Sequence, residues 1–111
     1  MHPLEKLHNI KFSKEEKDRY IQVFKETLEK IKLNSIDLTQ KKTKHKDYYL
    51  IIEPDRLNSI FVHIVPLSLY DLFNSLKENL KDQFLGFSIL VKDNTRLSCF
   101  GIPCSELTKA L

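Results

Sequence analysis

The sequence predicts an α+β fold, two-layer, with a mostly antiparallel sheet of four to five strands and two main amphipathic helices on one face. Three observations carry this: two apolar stripes at helical spacing, a pair of short strand-like runs after each stripe, and connections short enough to favour antiparallel neighbours. The 111 residues form a single domain, 1–111, and the 41% apolar and 30% charged content is that of an ordinary globular chain.

The first helix is announced by Ser13-Lys14-Glu15-Glu16, a capping box in which hydroxyl and carboxylate satisfy each other's backbone amides. Tyr20, Val23, Phe24, Leu28 and Ile31 then fall along one stripe, and the helix fades around Lys32 to Asn34. From Ser35 to Gln40, Ile36 and Leu38 alternate with polar neighbours and suggest a short strand. Asp47 to Glu53, with Tyr48, Tyr49, Leu50, Ile51 and Ile52 in succession, is a stronger one. Pro54-Asp55 turns the chain, and Ile60 to Val65 answers as the second arm of a hairpin. The expected register sets Glu53 opposite Ile60, Ile51 opposite Val62 and Leu50 opposite His63.

Pro66 ends that strand, and Ser68 with Asp71 forms a second cap signal. Leu69, Leu72, Phe73, Leu76 and Leu80 follow on one side of the second helix, which Gly86 closes. Phe87, Ile89 and Val91 alternate along a strand, residues 92–95 turn, residues 96–102 return, and Pro103 opens a short final helix.

The central hairpin is apolar on both faces. In the expected register Leu50, Ile52, Phe61 and Val65 point one way, and Ile51, Ile60, Val62 and Ile64 the other. Two helices on one side leave the second face open, so Ile51, Ile60, Val62 and Ile64 are the expected protein-binding surface for a partner or a homodimer. Folding back of residues 3–10 or of the C-terminal stub over that face is the alternative.

Several chemistries are unsupported by the residues present. Gly86 and Gly101 are the only glycines, too few for a phosphate-cradling loop or a dinucleotide fingerprint. His2, His8, His45 and His63 lack the spacing of a zinc site, so no metal or other cofactor is expected. His63, inside an apolar strand, would serve as a general base only in a pocket beside a carboxylate such as Glu53 or Asp47; a hydrogen-bonded half-buried histidine is the commoner outcome. Cys99 and Cys104 read as packed thiols, and no combination of Asp71, Glu53 and Lys92 has the spacing of a metal-dependent nuclease.

Charge is uneven. Residues 1–47 hold 12 Lys or Arg against 8 Asp or Glu, although the net charge is only +3. The excess centres on the basic loop 41–46, where Lys41, Lys42, Lys44 and Lys46 on a hairpin tip would contact nucleic-acid phosphates, with Tyr48 or Tyr49 placed to stack on a base. A merely solvated loop is the competing reading. The N-terminus lacks a secretory profile and no apolar run spans a bilayer, so a cytoplasmic protein with no membrane partner is expected.

Leu72-Phe73 through Leu76-Lys77-Glu78-Asn79, then Gly86, a strand, a turn at Asp93-Asn94, a second strand and Ile102-Pro103 resemble the second half of type III secretion chaperones. With a strand at 35–40 the order αβββαββ(α) is similar to theirs. That family is usually acidic with a full C-terminal helix, whereas this chain is basic and carries only a stub. The resemblance implies a homodimer without catalysis that holds an extended polypeptide. The leading expectation is therefore a non-catalytic, chaperone-like protein-binding adaptor. A nucleic-acid-binding domain is the alternative, and a small enzyme using His63 the third.

Overall fold

Ser13 starts the first helix as its sequence dictates. Its hydroxyl accepts from the Glu16 amide and its own amide donates to the Glu16 carboxylate, both at 3.2 Å. This is a computed structural model, and it describes residues 9–54, 58–77 and 88–111. Helix α1 (Lys14–Lys32) buries Tyr20, Val23, Phe24, Leu28 and Ile31, the stripe read from the sequence. Thr27 joins them by turning its hydroxyl back onto the Val23 carbonyl at 2.8 Å.

Five strands follow: β1 (Lys42–Lys44), β2 (Tyr48–Pro54), β3 (Ile60–Pro66), β4 (Ile89–Lys92) and β5 (Thr95–Cys99). A 3₁₀ turn (Leu67–Leu69) leads into helix α2 (Tyr70–Lys77), and helix α3 (Cys104–Thr108) follows β5. Gly101, at φ +95°, makes the corner before α3; a Cβ there would stand 2.9 Å from Leu69 and 3.0 Å from the Phe12 ring.

The fold is α+β, as the sequence indicates, with a mixed sheet in the order β1-β2-β3-β5-β4. Three neighbouring pairs are antiparallel, and β3 with β5 is parallel. Parallel neighbours need a crossover that carries chain over one face of the sheet. Helix α2 lies in that crossover.

This connection corrects the expectation that both helices share a face. On one side α1 packs on Ile52, Val62, Ile64, Leu97 and Cys99. On the other, Phe73 and Leu76 of α2 pack on Ile51, Phe61, Val65 and Phe100. The hairpin is apolar above and below because the chain covers it from both sides, the pattern of strands buried on two faces.

The register differs by one residue from that expected. Glu53 pairs with Phe61, Ile52 with Val62, Ile51 with His63 and Leu50 with Ile64. A one-residue slip exchanges faces, so Ile51 belongs to the α2 side while Ile60, Val62 and Ile64 belong to the α1 side. Residues 35–40 contain no strand; the first strand is Lys42–Lys44, inside the run expected as a loop. Ser68 sits within the 3₁₀ turn, which has no side-chain cap. Asp55, Leu80, Gly86, Phe87, His2, His8 and residues 3–8 lie outside the described residues, as do Glu78 and Asn79.

Val62 and Ile64 have no exposed surface. Val62→Glu places a carboxylate in the apolar core at a cost of several kcal/mol, comparable with the whole stability of a small domain. Circular dichroism and sedimentation are expected to show a chain without a cooperative transition, not a folded monomer released from a partner. Ile64→Ala is expected to lose about 2–5 kcal/mol in urea titration.

Candidate functional site

Two polar constellations stand out, one inside the sheet and one at its edge. The inner one begins with the register: Ile51, His63 and Ser98 lie side by side on β2, β3 and β5, so the His63 and Ser98 side chains emerge together on the α2 face. His63 Nδ1 is 2.7 Å from Ser98 Oγ, and Nε2 is 4.0 Å from the Glu53 carboxylate. Lys77 of α2 holds the other Glu53 oxygen at 2.7 Å. Phe61 stacks on the imidazole at 5.6 Å and Phe73 closes it in at 5.3 Å.

Burial among these rings pushes His63 down to about 4, against an opposing pull from Glu53 and with a further push from Lys77. The imidazole is therefore neutral at pH 7, and its approach to Glu53 is not an ion pair. With Ser98 donating to Nδ1, the ring proton sits on Nε2, on the side of the Glu53 carboxylate.

Ser98, His63 and Glu53 stand in the order nucleophile, base and acid. The enzyme reading required a pocket at His63, but the imidazole is 1% and Ser98 4% exposed. Two cavities lie elsewhere. One of about 350 Å³ is lined by Ile10, Phe12, Lys17, Gly101, Ile102 and Glu106 among others, and one of about 130 Å³ by Ile31, Asn34, Ile36, Leu38, Lys92 and Thr95. The His63 network is placed as a buried polar link between strands. Cys99 is similarly enclosed, its thiol pushed up to about 12 by burial, and Cys104 stands half-buried at the start of α3. Among the described residues no His, Cys, Asp or Glu cluster is able to hold a metal ion.

The second constellation is the outer edge. Strand β1 ends the sheet, with Lys42 opposite Ile51, Thr43 opposite Leu50 and Lys44 opposite Tyr49. Alternation puts Lys42 and Lys44 on the α2 face, about 7 Å apart. Lys41 precedes them, and Lys46 lies in the turn closed where the His45 amide donates to the Tyr48 carbonyl. All four lysines are exposed.

None of them makes an ion pair among the described residues. The neighbouring acids are engaged elsewhere: Asp47 by the Arg19 guanidinium at 3.3 Å and Glu53 by Lys77. Asp37 turns onto the Thr39 hydroxyl and amide, which hold its carboxyl below the usual carboxylate range. Among the described residues, no carboxylate pairs with any of the four lysines.

Aromatic rings support this edge. Lys42 donates to the Tyr70 hydroxyl and lies 4.7 Å from the Tyr70 ring and 5.0 Å from the Tyr49 ring. Those two rings are 4.4 Å apart. The Lys42 ammonium, with Asn74, holds the Tyr70 hydroxyl below the usual tyrosine range, and Tyr70 in turn raises Lys42. Tyr48 has His45 stacked on it at 4.6 Å and 10°.

Of the residues singled out in the sequence, Lys41, Lys42, Lys44 and Lys46 are brought together at one edge with Tyr48 and Tyr49 beside them. Ile51, Ile60, Val62 and Ile64 are divided between two internal clusters and do not form a docking surface. Tyr70 and Ser98 were missed. Each meets its partner across a separation of 28 and 35 residues, and only the strand register and crossover would have pointed to them.

Fold and site together define a mixed-sheet α+β domain with a basic edge. No family model matches the chain, and neither a curated protein nor a solved structure does, the type III secretion chaperones included. No helix of the structure is long and apolar enough to cross a membrane.

The His63 shift fixes a sign. Its folded value is depressed from 6.5 to about 4, so the stabilisation is complete above pH 6.5 and declines as pH falls toward 4, where the unfolded chain binds the proton and the folded one does not. The loss across that window is expected to be about 3 kcal/mol. Urea titrations at pH 7, 5.5 and 4.5 check it, with His63→Gln flattening the slope.

Proposed function

We propose that the chain is a non-catalytic nucleic-acid-binding domain that engages phosphates through Lys41, Lys42, Lys44 and Lys46. The observation that carries this reading is the row of four exposed lysines on a terminal strand and its turn, with Asp47 committed to Arg19 and Glu53 to Lys77. A linear polyanion such as a nucleic-acid backbone presents regularly spaced charge to such a row, and releasing its counterions drives association. The shape favours a chain of phosphates over one isolated headgroup.

The adaptor and self-association reading depended on an open apolar face. Both faces of the central hairpin pack against helices of this chain, so it gains no support there.

Replacing the four lysines by serine tests the proposal. In a mobility shift with duplex DNA, the wild type is expected to bind with micromolar or weaker affinity, falling about a hundredfold between 50 and 200 mM salt, a log–log slope near −3.6 for four contacts. The variant is expected to lose the shift while keeping its circular dichroism spectrum. Absence of binding by the wild type, or tighter capture by phosphatidylserine vesicles or polyglutamate at equal charge, overturns it.

A further inference from the structure

We infer that this edge reads the phosphate backbone without reading bases, because the tyrosines beside it are engaged within the chain, with Lys42 clamped over Tyr49 and Tyr70 as the anchoring contact. The inference rests on the nucleic-acid reading and specifies what the site recognises.

A base-stacking platform needs an open aromatic face. None of the three tyrosines has a ring that stands clear. Tyr48 packs on the α1 cluster and takes the His45 imidazole at 4.6 Å, nearly coplanar. Tyr49 and Tyr70 pack on the α2 cluster and against each other at 4.4 Å. The Lys42 ammonium lies within 5.0 Å of both ring centres and donates to the Tyr70 hydroxyl.

The consequence for Lys42 is pre-organisation. A free lysine loses rotamer entropy when it meets a phosphate, whereas Lys42 already has its ammonium held at one place on the edge strand. The residue stays exposed, and an ammonium has three N–H bonds of which Tyr70 takes one. Tyr70 is thus a positioning residue for Lys42. Lys44, next on the same face, with Lys41 before the strand and Lys46 after it, extends the row without such a clamp.

Duplex and single-stranded DNA separate the two roles of Tyr70, because a duplex does not present its bases for stacking. Tyr70→Leu is expected to weaken both by the same two- to fivefold, the value of an exposed cation–π contact. The salt slope should stay unchanged, since no cation is removed. Tyr70→Phe, which keeps the ring, should retain affinity within twofold, and wild-type affinities for poly(dT) and poly(dA) should agree within twofold.

A Tyr70→Leu loss confined to single strands, a strong preference between the homopolymers, or no Tyr70→Leu effect overturns the inference while leaving the phosphate-binding reading intact. Failure of the wild type to bind any of these nucleic acids overturns both. Circular dichroism of each variant establishes that the fold is kept, and Tyr49→Leu supplies a second variant should Tyr70→Leu fail to fold; it is expected to weaken duplex and single strands alike, and no effect overturns the inference.

Discussion

The parallel pairing of β3 with β5 is the constraint on which the rest of this structure depends. Strands so placed cannot be joined by a tight turn, and the chain between them must travel across the sheet. That journey takes α2 to the face opposite α1, encloses the central hairpin, and makes both apolar surfaces of β2 and β3 internal. It also brings His63 beside Ser98. A hydrogen bond between directly paired residues of two non-consecutive strands is lost on any slip of register, so this polar pair specifies an alignment that apolar packing tolerates less exclusively. Its depressed basicity is the cost of setting an imidazole among phenyl rings.

Local order was legible in the sequence and long-range order was not. Ser13 with Glu16, and the stripe from Tyr20 to Ile31, are determined within a few residues of themselves, and α1 follows them closely. Phe73 and Leu76 were legible as the buried side of α2 for the same reason. The alternation of Ile36 and Leu38 misled, because two apolar residues in a turn-forming segment satisfy a period of two without a neighbouring strand to pair with. The actual strand, Lys42–Lys44, carries no apolar residue; it is a strand because β2 offers it hydrogen-bonding partners.

The apolar hairpin shows how one pattern supports two inferences. Grease on both faces signifies either an uncovered surface or cover from two sides, and the choice depends on whether the next strand returns antiparallel or crosses over. The sequence gives no local sign of that choice. The site was correspondingly half-legible: the lysine run is visible as charge, whereas Tyr70 is supplied by a helix 28 residues away and reaches Lys42 only because α2 lies on that side.

Among the described residues no strand pairs with the outer side of β1, which leaves a rim of backbone amides and carbonyls of the kind by which copies of a protein add to one another and grow into fibrils. Here a second copy approaching in that manner would bring its own lysines against these. Repulsion between identical chains is thus built into that rim, through residues that contribute nothing to the core.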